Sequence, residues 1–135
     1  AEAERLYRDA AAETEKASGK NDPLTAARLA DWGLHLQRLD RFAEAEEVYR
    51  RSLAVVEKAF APGHPRRDAS LNALGLFLES RGRYAEAEAL YKQALAEEAL
   101  SGRRSEAGRN YPSLLRRQGR EAEAAAAEAR RKGAP

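Results

Sequence analysis

Apolar side chains recur along the chain with the spacing of one face of an α-helix. Leu71, Leu74 and Leu78 follow this spacing, and Tyr84 and Tyr91 begin a second run of the same kind. Glycine and proline are found mainly in the polar stretches between such runs, where they end or start helices. The pattern predicts an all-α protein with seven helices, near 1–17, 24–39, 42–60, 66–81, 84–100, 105–118 and 121–132.

The predicted helices are organised by an internal repeat with a period of 42 residues. When residues 27–58 are aligned with residues 69–100, 13 of the 32 positions are identical, whereas this composition would give roughly four by chance. The motif that starts at Arg41 returns at Arg83, and a shorter step of 37 brings it back at Arg120. We therefore expect one array over residues 1–135, consisting of a half repeat (1–26), two repeats (27–68 and 69–104) and a shorter capping repeat (105–135).

Each repeat is predicted to be a pair of helices. The turn inside a pair is Leu39-Asp40-Arg41, Arg81-Gly82-Arg83 or Gln118-Gly119-Arg120. Two of the three turns contain glycine, which the left-handed conformation at a helix C-terminus favours. Between pairs, Asn21-Asp22-Pro23 and Gly63-His64-Pro65 are each a capping residue followed by proline. Pro112 falls at the glycine register, so it either delays the sixth helix until after Asn110 or kinks it.

Small residues recur in the middle of the paired helices. Gly33 and Gly75 occupy the same register, where glycine costs about 1 kcal/mol relative to alanine. Together with Ala45 and Ala87 they would let the two helix axes approach closely. We expect Tyr7, Tyr49 and Tyr91 and also Trp32 to belong to the core, with the tyrosines filling the space toward the next pair.

This repeat resembles the tetratricopeptide repeat. The signature is carried by Leu71, Leu74-Gly75, Leu78, Tyr84, Ala87, Tyr91 and Ala94. The 42-residue period with the Pro62-Gly63-His64-Pro65 linker is similar to the kinesin light chain type, which is common in bacterial proteins. The resemblance implies a right-handed superhelix of antiparallel helix pairs that binds partners in a concave groove lined by the first helix of each pair.

Mapping that groove by repeat register gives the candidate site residues. They are Leu34, Gln37, Arg38, Asn72, Leu76, Glu79, Arg109, Ser113, Arg116 and Arg117. Residues 101–135 carry nine basic and four acidic side chains, so positive charge is concentrated at this end. We therefore expect the groove to bind a protein or peptide segment, one with acidic residues that pair with Arg109, Arg116 and Arg117, while Asn72 bonds the peptide backbone. An ordinary solvated face is the alternative interpretation of the arginines.

Two other functions remain open at this stage. The first is a structural or self-associating scaffold segment of a larger multi-repeat protein, with a homodimer formed through the uncovered Leu6 and Tyr7 of the first helix. The second is nucleic-acid binding through the C-terminal arginines, which is disfavoured because Tyr111 is the one aromatic residue among them. The half repeat at the start and the lack of methionine lead us to expect further repeats upstream.

The sequence offers little for catalysis or for cofactors. The two histidines, His35 and His64, have no convincing partner and we expect both to be structural, with His64 capping a helix. There is no cysteine, no phosphate-binding glycine loop and no apolar run near the roughly 18 residues of a membrane span. We therefore predict a non-enzymatic protein with no catalytic residue, no metal, no cofactor, no small-molecule substrate and no membrane insertion, whose compartment the sequence does not indicate.

Overall fold

A computed structural model describes residues 2–133, which form seven α-helices and no strand. This confirms the all-α fold and the number of helices expected from the apolar periodicity. The helices are α1 (Glu2–Ser18), α2 (Pro23–Arg38), α3 (Phe42–Ala59), α4 (Pro65–Ser80), α5 (Tyr84–Ser101), α6 (Glu106–Arg117) and α7 (Glu121–Gly133). The first position of the predicted helix 1–17 lies outside the described residues.

Local capping explains where the helices begin. Asp22 precedes Pro23 and its carboxylate accepts the Leu24 N–H at 2.8 Å, which satisfies one of the donors that a helix N-terminus leaves unpaired. His64 precedes Pro65 in the same way, and its Nδ1 accepts the Arg66 N–H at 3.1 Å. Both predicted caps are therefore confirmed.

The turn inside each helix pair needs a positive φ at its second residue. Asp40, Gly82 and Gly119 have φ values of 59°, 74° and 74°. Aspartate is one of the few side chains that tolerate this left-handed conformation, which explains how position 40 dispenses with glycine.

The chain divides into two compact units, one up to Ala61 and one from Pro62 onward. In the first unit α2 packs against both α1 and α3. In the second unit α4 packs against α5 and α6, α5 also packs against α6, and α6 packs against α7. We call α2, α4 and α6 the first helices, and α1, α3, α5 and α7 the second helices.

The two central glycines make room for tyrosine rings. A β-carbon on Gly33 would lie 3.0 Å from Tyr49 Cε1, and one on Gly75 would lie 2.4 Å from Tyr91 Cε1. Tyr49 and Tyr91 are 6% and 0% exposed, so their assignment to the core is confirmed. Each ring lies against the glycine of its own pair, while the expectation that the tyrosines also fill the space toward the next pair stays a prediction.

Two aromatic residues are less buried than we expected. Tyr7 is 38% exposed and stacks on His35 of α2, with the ring centroids 4.9 Å apart. It occupies the register of Tyr49, but its ring stacks on the His35 imidazole, whereas the Tyr49 ring lies against Gly33. Trp32 is half-buried, so its prediction as a core residue was also wrong in degree.

Pro112 lies inside α6, which begins at Glu106 and not after Asn110. Ser105 fixes this start because its Oγ accepts the Gly108 N–H at 2.8 Å. The late start that we considered for the sixth helix is therefore excluded.

An arginine at the start of a second helix links it to its neighbours inside each unit. Arg41 pairs with Glu44 on its own helix and with Glu4 of α1. Arg120, in the same register, pairs with Glu123 and, at 2.9 Å, with Glu88 of α5. The pair within each helix corresponds to the Arg-x-x-Glu part of the repeated motif. The other pair of each arginine connects two consecutive second helices.

Candidate functional site

The candidate site on the first unit lies on α2. Leu34 is 43% exposed, Arg38 is exposed and Gln37 is half-buried. The Gln37 side-chain oxygen accepts a hydrogen bond from the Tyr49 hydroxyl at 2.9 Å. Gln37 therefore holds the hydroxyl of the core tyrosine, while Leu34 and Arg38 are exposed to solvent.

On the second unit the same register is occupied by an acid. Glu79 stands 42 residues after Gln37, beside Tyr91, and is 7% exposed. One of its oxygens pairs with Arg117 Nη1 at 3.0 Å, whereas its other oxygen, Oε1, is buried without a hydrogen-bond partner, as is the Tyr91 hydroxyl. Burial raises the pKa of the Glu79 carboxyl, and the Arg117 charge and the neighbouring Tyr91 hydroxyl offset this only in part.

In the capping repeat the same register is occupied by a basic residue. Arg116 lies 37 residues after Glu79 and pairs with Glu128, which lies 37 residues after Tyr91. At this register Gln37 bonds Tyr49 and Arg116 pairs with Glu128, each across the two helices of its pair, whereas Glu79 lies beside Tyr91. Sequence reasoning assigned the first-helix members to the groove and missed this link, although the shared register was available to find it.

Asn72 and Leu76 complete the candidate surface of α4. Leu76 is 43% exposed, as is Leu34. Asn72 is half-buried, and its side-chain oxygen accepts a hydrogen bond from the Asn110 amide of α6. The asparagine that was expected to bind a peptide backbone therefore also joins α4 to α6.

The three candidate arginines of α6 all have carboxylate partners within the chain. Arg109 pairs with Glu106 at 3.3 Å, Arg117 pairs with Glu79, and Arg116 pairs with Glu128 and, at 3.2 Å, with Glu121. Their side chains remain 66%, 61% and 40% exposed, respectively. Ser113 lies between them and is exposed.

The histidines have structural surroundings, His35 in its stack with Tyr7 and His64 at the N-terminus of α4. Over residues 2–133, no three His, Cys, Asp or Glu side chains are grouped so that they could hold a metal ion. Within the same range, none of the helices combines the length and apolarity that crossing a membrane requires.

Comparisons with known proteins agree with this architecture. A family profile described as tetratricopeptide repeat matches residues 27–96. The comparison with curated proteins gives no match.

Solved structures share the fold at low sequence identity. A Podosopora anserina protein described as a kinesin light chain with nearly identical TPR-like repeats has a TM-score of 0.77 at 24% identity, covering 93% of this chain and 62% of that one. BtubC (BKLC) from P. vanneervenii has a TM-score of 0.80 at 19% identity, covering 96% of this chain and 54% of that one. The chain thus spans less than two thirds of either relative, and the similarity confirms the predicted repeat fold.

Proposed function

Because the chain belongs to the tetratricopeptide repeat family, we propose that it works by binding a segment of another protein on its first helices and not by catalysing a reaction. Proteins of this family generally act in protein–protein interaction or as scaffolds. The proposed binding residues of the first unit are Leu34, Gln37 and Arg38 on α2. Those of the second unit are Asn72, Leu76 and the buried Glu79 on α4, and Arg109, Ser113, Arg116 and Arg117 on α6.

The observation that carries this proposal is the matched exposure of Leu34 and Leu76. These leucines lie 42 residues apart and each is 43% exposed, while Leu36 and Leu78, two residues further along, are fully buried. The repeat therefore presents one leucine per pair to solvent at the same register. Because burying a leucine is worth about 1.5 to 3 kcal/mol, two such side chains are suitable anchors for a partner.

The charges on α6 favour an acidic segment in the partner. The ion pair of Arg109 with Glu106 is exposed on both sides, and exposed pairs contribute only about 0 to 1 kcal/mol. An incoming carboxylate can therefore replace the internal partner of Arg109 at little cost. Polar side chains such as Ser113 lie beside these arginines and can bond a peptide backbone.

The experiment selects ligands from a library of random peptides displayed on phage, with the full chain immobilised. We expect the recovered peptides to combine Asp or Glu with a large apolar residue, and to lose binding to the Leu34→Glu, Leu76→Glu double variant. Leu100→Glu is the matched control, because this leucine is 79% exposed on a second helix. Thermal unfolding of each variant checks that the fold is retained.

A second arm tests the charge. Arg109→Glu and Arg117→Gln should weaken capture of the selected peptides, and added salt should do the same, since salt screens exposed charges. Glutamine is used at position 117 because a second carboxylate beside the buried Glu79 would disturb the fold. Arg103→Glu, in the loop before α6, is the control. Peptides without acidic residues, or capture unaffected by the leucine substitutions, would contradict the proposal.

A homodimer through α1 is the second candidate, and a specific exposure favours it. Leu6 and Tyr7 are 62% and 38% exposed, whereas Val48 and Tyr49, at the same register on α3, are 3% and 6% exposed. Covering this face with a second copy would bury the apolar side chains that the repeat buries elsewhere. Sedimentation should then show a concentration-dependent dimer that Leu6→Glu abolishes and Leu100→Glu preserves. A monomer at all concentrations would refute it.

A further inference from the structure

A separate cavity lies in the second unit, between α5 and α7. It has a volume of about 700 Å³ and is partly open to solvent, and it shares no lining residue with the proposed binding residues. Its lining consists of Lys92, Leu95, Ala96, Glu98, Ala99, Gly102, Arg104, Tyr111, Ala127, Arg130 and Arg131. A volume of this size lies within the range of roughly 300 to 1,000 Å³ that is typical of small-molecule sites.

The cavity follows from small side chains at particular registers. Ala127 stands 37 residues after Leu90, which itself stands 42 residues after Val48, so α7 has a methyl group where the other second helices have a branched side chain. Ala96 and Ala99 present equally small side chains from α5. These alanines together with Leu95 form the apolar floor of the cavity.

Positive charge surrounds this apolar floor. Four cationic side chains line the cavity, and Glu98 is its one carboxylate. Glu98 is itself engaged by Arg131, through bonds of 3.0 Å from Nε and 2.8 Å from Nη2, and more distantly by Arg104 at 3.5 Å. Lys92 is paired with Glu88 at 3.4 Å, so the remaining cationic character lies mainly with Arg104 and Arg130.

The cationic side that faces the cavity is held in place by the protein. Glu98 accepts the Ser105 N–H at 2.7 Å, and Arg131 also donates to the Ser105 carbonyl at 3.1 Å. Arg104 donates in turn to the carbonyl of Arg131. A network fixed in this way presents its charge without a large ordering cost on binding.

We propose that this cavity binds a small amphipathic carboxylate, with its apolar chain over Leu95, Ala99 and Tyr111 and its carboxylate against Arg104 and Arg130. An apolar floor beside excess cations matches a ligand that carries both an apolar body and one negative charge. A peptide fits less well, because the lining side chains that could accept its N–H groups are already engaged, Glu98 by Arg131 and the Ser105 N–H, and the Tyr111 hydroxyl by Glu88. This binding is independent of the proposed function of α2, α4 and α6.

The experiment titrates the full chain with sodium decanoate below its aggregation concentration and follows heat by calorimetry. We expect saturable binding of one decanoate per chain, and at least about tenfold weaker binding of decanol, which has the chain without the charge. Ala99→Trp should abolish binding by filling the cavity. Arg130→Glu should weaken it by about tenfold, because the reversed charge repels the carboxylate.

Matched controls separate the cavity from general adsorption. Ala89→Trp places the same large ring at another exposed alanine of α5, one that does not line the cavity, and it should leave binding unchanged. Arg103→Glu makes the same charge reversal next to the site without touching its lining.

Four outcomes would overturn the proposal. The first three are unchanged affinity in Ala99→Trp, equal affinity for decanol, and many decanoates bound per chain. The fourth is no binding of decanoate, including the case in which an acidic peptide binds instead and is blocked by Ala99→Trp. The Leu34→Glu, Leu76→Glu variant should bind decanoate like the wild type, so failure here is distinguishable from failure of the proposed function.

Discussion

The ring of Tyr91 occupies the place where a β-carbon on Gly75 would have to lie. The two positions are only 2.4 Å apart at Tyr91 Cε1, closer than two carbon atoms can approach without a bond. Tyr91 is fully buried, so withdrawing its ring would disturb the packing of the core. Glycine in the middle of α4 is thus required by its neighbour on α5, and this contact explains why the repeat accepts the cost of a mid-helix glycine.

The first prediction follows from comparing the two glycines. Gly75→Ala should lower the free energy of unfolding by about 1 to 3 kcal/mol, because the gain in helix propensity is smaller than the cost of overpacking. Gly33→Ala should cost less, since its β-carbon would lie 3.0 Å from a tyrosine ring that is slightly exposed. Urea denaturation of both variants measures the difference.

Gly133→Ala is the control, because a β-carbon there meets no atom within 4 Å and the substitution tests helix propensity alone. A Gly75→Ala protein as stable as the wild type would show that Tyr91 can move after all.

The second prediction concerns a buried ion pair between α4 and α5. Arg67 donates to Glu97 twice, at 2.9 Å from Nε and 2.8 Å from Nη2, and both side chains are about nine-tenths buried. Burial alone would raise the pKa of Glu97, but the bonds from Arg67 and from the Gly63 N–H outweigh it, so the pKa is lowered. The first repeat has Thr25 and Val55 at these two registers, both buried and uncharged.

Removing one partner should therefore be worse than removing both. Glu97→Val should cost about 3 to 5 kcal/mol because it leaves a buried guanidinium unpaired, whereas Arg67→Thr with Glu97→Val should recover much of that loss. A double-mutant cycle by chemical denaturation measures the coupling between the two positions. Additive losses would mean that the pair contributes no specific interaction.

The sequence predicts the repeat architecture well because its signals are local and duplicated. Apolar spacing, the Asp22-Pro23 and His64-Pro65 caps and the glycine turns each act within a few residues, and the 42-residue register repeats them. The partners of Gln37, Glu79 and Arg116 were missed for a different reason. The repeat register indicates which helix face a residue lies on, but it does not indicate how buried the side chain is. A side chain at the edge of that face turns inward when a tyrosine hydroxyl or a glutamate is within reach.

The α5–α7 cavity was also beyond sequence reasoning. In the sequence, Ala127 stands 37 residues after Leu90, and this replacement fits the flat outer face of a capping repeat as well as it fits a cavity. Whether a missing side chain leaves a flat surface or a cavity depends on how far the surrounding helices move together, and no local pattern encodes that distance.

The third prediction tests how α6 is held at its start. Asp68 of α4 accepts the N–H groups of Glu106 at 2.8 Å and Ala107 at 3.2 Å, so a carboxylate from another helix satisfies two donors that the helix leaves free. Asp68→Ala should lower stability by about 1 to 2 kcal/mol and speed hydrogen exchange at these two amides. Asp31→Ala, which removes an exposed aspartate with an ion pair of 3.8 Å, should have almost no effect. Unchanged exchange at Glu106 and Ala107 would refute the capping role.

The last prediction uses the difference between Gln37 and Glu79. Because burial raises the pKa of Glu79 above its ordinary value of 4.5, the folded state holds this proton more tightly than the unfolded state does. The stabilising contribution of the protonated form is fully present below about pH 4.5 and is lost as the pH rises through the higher folded pKa.

Glu79→Gln copies the first repeat, where the Gln37 oxygen accepts the Tyr49 hydroxyl at 2.9 Å. It should therefore raise the stability at pH 7 by about 1 kcal/mol, through a satisfied hydrogen bond to Tyr91 and the removal of a buried charge. The gain should shrink toward pH 4, where Glu79 becomes protonated in the wild type. Gln37→Glu should have the opposite sign at pH 7, and urea denaturation of both variants across this pH range measures the effect. A Glu79→Gln gain that does not depend on pH would show that the buried charge is not its cause.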